Sequence, residues 1–481
     1  MSNTKKELVS GVFWSAIEKY SSLIISLVVS MILARLLSPE DYGVVAIAMV
    51  FIIFLHIFCS MGIAPAIIQN KELSKSDINN IFSFTIYIGL TLSCILFFAS
   101  IPISRFYNNL LLLPICQILS IQVFFSTVNM VPNALMLKNK RFKDIARRTV
   151  VLQSVTGIVS IIAAFNGIGV YALLISPVFS AIGIFIWNLC FFPLKFIPLF
   201  SKNSVMKIFS YSAYQFMFEF VNYFSRNIDK LLIGKYLSVS ALGYYEKSYR
   251  LMQMPLSSLT SVINPVLQPI LSEFQNNLNE ICRRYEKIIG FIALVSFPAG
   301  FFLFIAANEI IIILFGEQWI KAVLSFKILA ISVPLQVILS TTGGVFQSCN
   351  ATKNLFFVGL RNSLMTVAGF LVALVVSGTI EAVAWGWSAT SFICFISSFY
   401  EFYYRIFNQT IKKLFIELCI PSLNVLILII LYSIFQQILP NGLYAIFIIK
   451  ALFVMLVSIS FYHLTGKISV IEIIQLIIKK K

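Results

Sequence analysis

The charged side chains Glu219, Arg226, Asp229, Lys230, Glu246 and Arg250 interrupt an otherwise apolar stretch of sequence. On a helix advancing about 100° per residue, Glu219, Arg226 and Lys230 fall within about 60° of one another, with Asp229 at the edge. A following helix carries Glu246, Arg250, Gln253, Ser257, Thr260, Asn264 and Gln268 on one face about 80° wide. A hairpin turning near Ser238 sets Lys230 level with Glu246, Asp229 with Lys247 and Arg226 with Arg250. The first two pairs are charge-complementary and read equally well as salt bridges holding the hairpin. Two guanidiniums at one depth repel unless an anion lies near, which Glu219 or Glu246 supplies from within and a substrate phosphate from outside. Arginine's planar fork suits bidentate phosphate binding. The chemistry expected here is anion binding. Arg226, Arg250 and Lys230, with Lys19 of the first helix, are the candidate phosphate ligands. Glu18, Glu219, Asp229 and Glu246 are the candidates for neutralising them or for ion coupling.

The elements that position these groups are membrane helices. Of 481 residues, 59% are hydrophobic and 11% charged, where a soluble protein carries about 25% charged residues. This excludes a soluble enzyme, a disordered regulator and a disulfide-stapled domain. The net charge of +17 lies in short gaps between apolar runs, which argues against a nucleic-acid partner. Eight scattered Cys without a CxxC pair and two His give no metal or cofactor site. The basic N-terminus reads as a retained first helix, because Glu18 and Lys19 interrupt its apolar part. Runs of the length a span needs, about 20 residues, predict fourteen transmembrane helices. Of the 36 Lys and Arg, 25 fall on the side of the termini and five on the other, which places both termini in the cytoplasm. The basic run Lys138 to Arg148 reads as a cytoplasmic loop, or as a contact for anionic lipid heads.

The chain contains an internal repeat. Ile32-Leu-Ala-Arg35-Leu-Leu-Ser38-Pro-Glu-Asp-Tyr-Gly43 matches Leu232-Ile-Gly-Lys235-Tyr-Leu-Ser238-Val-Ser-Ala-Leu-Gly243 at an offset of 200. Gln122, Ser126, Asn133 and Arg147 match Gln336, Ser340, Gln347 and Arg361 at an offset of 214. The expected fold is an all-α integral membrane protein with two parallel six-helix lobes. They are related by a pseudo-two-fold axis along the membrane normal, an arrangement that transporters use for alternating access. The boundaries are residues 1–193 for the first lobe, 194–204 for a cytoplasmic linker, 205–405 for the second lobe and 406–481 for two extra helices with a basic tail. A polar face running the length of span eight cannot look at lipid, so Gln253 and Asn264 are expected to line a cavity. Gln122 and Asn133 of span four, and Gln336 and Gln347 of span ten, are read in the same way, with interhelical hydrogen bonding as the alternative. Lys450 sits alone in mid-span with no role assigned.

Residues Gly11 through Ser30-Met-Ile-Leu-Ala-Arg35-Leu-Leu-Ser-Pro39-Glu-Asp-Tyr-Gly43, echoed by Asp229-Lys-Leu-Leu-Ile-Gly-Lys-Tyr236 and Leu242-Gly-Tyr-Tyr245, resemble polysaccharide exporters. These belong to the multidrug/oligosaccharidyl-lipid/polysaccharide flippase superfamily. The resemblance runs over essentially the whole chain and implies a Wzx-type flippase of a bacterial inner membrane. Such a protein moves undecaprenyl-diphosphate-linked oligosaccharide from the cytoplasmic to the periplasmic leaflet, coupled to a proton or sodium gradient. It implies no enzyme activity. Its partners would be the lipid-linked oligosaccharide, bilayer lipids and other polysaccharide assembly proteins. The alternatives are a cation-coupled multidrug antiporter, which would favour an acidic, aromatic pocket, and a membrane glycosyltransferase or polymerase, which would need a large extracytoplasmic loop.

Overall fold

A computed structural model describes residues 3–60, 63–70, 72–209, 223 and 226–467. The described residues are helical with short connections and contain no strand. Twelve helices among them are long and apolar enough to cross a membrane. The expectation of fourteen adds spans seven and eight. Span seven lies partly outside the described residues, and span eight is long enough but too polar to count by composition. The chain divides into two compact units, Met1–Gly243 and Tyr244–Lys481.

The first unit begins with α1 (Asn3–Leu36) and continues with α2 (Pro39–Ser60) and α3 (Ile63–Gln69), which together form span two. Then come α4 (Lys75–Tyr107), α5 (Leu112–Val128), α6 (Met130–Lys138), α7 (Phe142–Phe165), α8 (Ala172–Phe191) and α9 (Lys202–Phe209). Helix α10 covers 226–236. Local sequence sets the ends. Ser74 and Asp77 close a capping box on α4, and Asn108 ends that helix in the left-handed region at φ 50°. Span four breaks between α5 and α6 because Pro132, in the first turn of α6, has no N–H to continue the ladder.

The repeated motif acquires a physical meaning inside this unit. Ser38 Oγ accepts the Asp41 N–H at 3.2 Å, and Ser238 Oγ accepts the Ala241 N–H at 3.0 Å. Both serines are N-caps, three residues before the N–H they satisfy. The glycines at the ends of the two motifs pack reciprocally. A Cβ on Gly43 would lie 1.9 Å from the Val239 carbonyl oxygen, and one on Gly243 would lie 1.9 Å from that of Pro39. Residues 200 apart exchange roles, as a two-fold relation between the copies requires. Glycine is needed at both places because no side chain fits against the opposing backbone.

The second unit contains most of α11 (Val239–Ser272), then α12 (Leu278–Ile305), α13 (Ala307–Phe315), α14 (Ala322–Leu339) and α15 (Thr342–Ser348). It continues with α16 (Thr352–Val376) and α17 (Ile380–Tyr400), which runs on as a π-helical turn, Glu401–Ile406, and ends with α18 (Lys412–Phe435) and α19 (Leu443–Leu464). Span ten breaks like span four, by another device. The hydroxyls of Ser340, Thr341 and Thr342 each donate to the carbonyl three residues back, at 2.6, 2.6 and 2.7 Å, which competes with the regular helical ladder. The helices pack as membrane helices do, through small residues that let backbones approach. A Cβ on Gly386 of α17 would sit 2.9 Å from the Gly369 carbonyl oxygen of α16. The pair α18–α19 packs on α12 through Phe301, Ile305, Leu428 and Val454.

Candidate functional site

In the first unit, α10 and α1 carry the expected anion ligands. Arg226 is exposed, Lys230 is half-buried, and Asp229 is buried with Oδ1 accepting the Lys230 N–H at 2.8 Å. Helix α10 is preceded by a fixed point one turn back, where the Tyr223 hydroxyl donates to the Val50 carbonyl of α2 at 2.9 Å. Glu219 lies outside the described residues. On α1, Lys19 is exposed and Glu18 is half-buried, accepting from the Thr149 hydroxyl of α7 at 2.9 Å. Of the polar stripe in span four, Gln122 is half-buried, with no hydrogen-bond partner for its side-chain oxygen among the described residues. Asn133 is bonded to Arg148.

Arg148 is the group that sequence reasoning missed. The expected loop from Lys138 to Arg148 shrinks to the turn between α6 and α7, and Arg148 is only 5% exposed. Its guanidinium donates to Asn188 Oδ1 at 2.5 Å and to Asn133 Oδ1 at 3.3 Å, and Asn188 in turn donates to Asn129 Oδ1 at 2.8 Å. Three helices, α6, α7 and α8, are tied by this network beside the break of span four. Ile145, Arg148, Leu152 and Thr156 recur at helical spacing on the inward face. That period was the available signal, hidden by the neighbouring basic residues.

In the second unit, α11 presents the polar face. Arg250, Ser257 and Gln268 are exposed, while Glu246, Gln253, Thr260 and Asn264 are half-buried. Gln253 donates to the Tyr249 hydroxyl at 3.1 Å and Asn264 to the Ser340 carbonyl at 3.2 Å. Its lower end meets α15 through Ser272 and Ser348 at 3.3 Å. The face therefore divides between groups open to solvent and groups that hold neighbouring helices. Lys247, about 100° round the helix from Glu246, is buried with its ammonium 4.5 Å from the Phe315 ring centre. Gln336 turns inward, is buried, and donates to Ser332 of its own helix at 2.6 Å, whereas Gln347 is exposed. A cavity of about 720 Å³ in this unit is walled by Phe297, Phe301, Phe304, Phe392, Phe395 and Phe415 among other apolar residues.

Twelve long apolar helices among the described residues, spans four and ten of them broken in mid-course, define a multi-pass α-helical membrane protein. The chain belongs to the family described as "Polysaccharide biosynthesis protein", which residues 32–324 match. It is 25% identical over 400 residues to the teichuronic acid biosynthesis protein TuaB of Bacillus subtilis, covering 82% of each chain. It is 23% identical over 425 residues to the lipopolysaccharide biosynthesis protein WzxC of Escherichia coli, covering 87% of this chain and 85% of that one. Its fold matches that of the lipid II flippase MurJ in an inward-closed conformation. The TM-score is 0.76 at 16% identity, over 95% of this chain and 99% of that one.

Proposed function

We propose that this protein flips a lipid-linked oligosaccharide across a bacterial cytoplasmic membrane for polysaccharide assembly, and that it works as a transporter and not as an enzyme. The observation that carries the reading is α11, a 34-residue helix among apolar spans whose polar face leaves Arg250, Ser257 and Gln268 exposed. Lipid cannot solvate such a face, so it needs a water-filled path or a polar substrate. The phenylalanine-walled cavity offers the complementary surface for an isoprenoid tail. Arg250, exposed on this helix, is a ligand for the diphosphate between tail and sugar, and Arg226, exposed on α10, is the second candidate that the sequence offers. Glu18, Glu246 and Asp229 are the acidic groups through which a cation gradient would act. The relatives' names place TuaB and WzxC in polysaccharide biosynthesis and MurJ in lipid flipping, which supports this substrate class over a drug.

The charge asymmetry of the connections supports cytoplasmic termini. Cysteines introduced at Lys140 and Lys413 should react with an impermeant maleimide from the cytoplasmic side alone, and one at Lys321 from outside; reversed labelling would overturn the orientation. The function itself is tested in proteoliposomes. A fluorescent polyprenyl-diphosphate oligosaccharide should become accessible to a reagent on the far side faster than in empty liposomes, and cationic drugs should not compete. Equal rates with and without protein, or competition by drugs alone, would reject the flippase reading.

A further inference from the structure

A lysine in the middle of a membrane helix is costly unless it is paired, and the second unit pairs Lys450. Its side chain is 7% exposed, and its ammonium donates to Glu309 Oε1 at 2.9 Å and to the Ile305 carbonyl oxygen at 2.8 Å. The ring of Tyr432 lies 5.8 Å away on another side. The Glu309 side chain is also 7% exposed, and its second oxygen, Oε2, is buried without a hydrogen-bond partner among the described residues. These groups meet where span nine ends. Helix α12 ends at Ile305 and α13 begins at Ala307, so the Ile305 carbonyl belongs to the negative end of a helix dipole. Ile305 itself packs in an apolar cluster with Phe301, Leu428 and Val454.

A carboxylate and a main-chain carbonyl at the C-terminal end of a membrane helix are hard oxygen donors, the kind with which transporters hold monovalent cations. We propose that the junction of α12 and α13, at the end of span nine, is a monovalent-cation site which the chain fills with its own Lys450 ammonium. The orphaned Glu309 Oε2 is the donor that a free, smaller ion would use and that a tethered ammonium leaves idle. The tether joins α19 to α12 and α13 by charge as well as by packing, so the C-terminal helix pair is an integral part of the second unit. It also removes this carboxylate from any coupling role in the native protein.

The test is thermal unfolding of purified full-length variants in detergent, with sodium chloride replaced by choline chloride. Lys450→Ala should unfold at a lower temperature in choline and recover by about 5 °C in sodium. The native protein and Glu309→Gln/Lys450→Ala should be indifferent to the exchange. An unfolding temperature of Lys450→Ala that does not respond to sodium would overturn the proposal. Should Lys450→Ala fail to accumulate, the neutral pair Glu309→Gln/Lys450→Met should accumulate, since no unpaired buried charge remains; its failure would overturn the proposal as well. Neither readout involves transport, so the result stands apart from the identity of the substrate.

Discussion

Spans five and eleven occupy corresponding places in the two halves of the sequence, and each buries a cationic or amide side chain against the next span in a different way. At the offset of 214, Arg147-Arg148 aligns with Arg361-Asn362. In the first unit the second residue of the pair is the buried one, and Arg148 is solvated by the amides of Asn133 and Asn188. Among the described residues it makes no ion pair. In the second unit Arg361 reaches the carboxylate of Glu401 at 3.6 Å and the Ser397 carbonyl at 3.0 Å, while Asn362 donates to Ser398 at 2.9 Å. Arg405 and Asn354 bind the same carboxylate, at 3.3 and 3.0 Å. One unit holds its arginine with amide dipoles; the other gives two arginines one carboxylate to share. A buried cation with no carboxylate in contact among the described residues depends on every hydrogen bond it makes, whereas an acid shared by two arginines with 35% and 67% exposed side chains has water in reserve.

That contrast can be broken from either side. The largest effect is expected from Asn188→Leu, which strips Arg148 of its shortest hydrogen bond and leaves the charge buried. The loss should be about 3–5 kcal/mol, read as a lower unfolding temperature, and Arg148→Met in the same background should recover most of it. A variant as stable as the native protein would mean that Arg148 finds another partner. A smaller loss, about 1–2 kcal/mol, is expected from Glu401→Gln, because Arg361 and Arg405 can turn to water. If Glu401→Gln proved the more damaging, the distinction between the two units would fail.

Much of the architecture was legible in the sequence because a bilayer demands long apolar runs, and these are visible by inspection. The repeat was legible too, since Ser38 and Ser238 are kept as caps and Gly43 and Gly243 by a backbone contact. A candidate site was legible where a helix carries a continuous polar face, as α11 does from Arg250 to Gln268, of which Arg250, Ser257 and Gln268 are exposed. It was illegible where the partner is remote in sequence. Lys450 had no account until Glu309, 141 residues away, came beside it. Gln336 shares the pattern of a cavity-lining residue, yet its bond to Ser332 satisfies it inside the bundle. Arg148 belonged by composition to a basic loop and by helical period to the interior, and the interior position won because two asparagines, Asn133 and Asn188, could solvate it.

The central claim is that exposed arginines on otherwise apolar spans receive the diphosphate of a lipid-linked sugar. It is tested most directly by flipping rates of Arg226→Ala and Arg250→Ala in proteoliposomes, at matched protein insertion, beside Arg226→Lys and Arg250→Lys. Both alanine variants should fall to the rate of empty liposomes, and the lysine variants should retain part of the native rate, because lysine keeps the charge and loses the bidentate fork. Native rates in both alanine variants would contradict the account and leave the two arginines as groups that merely face water.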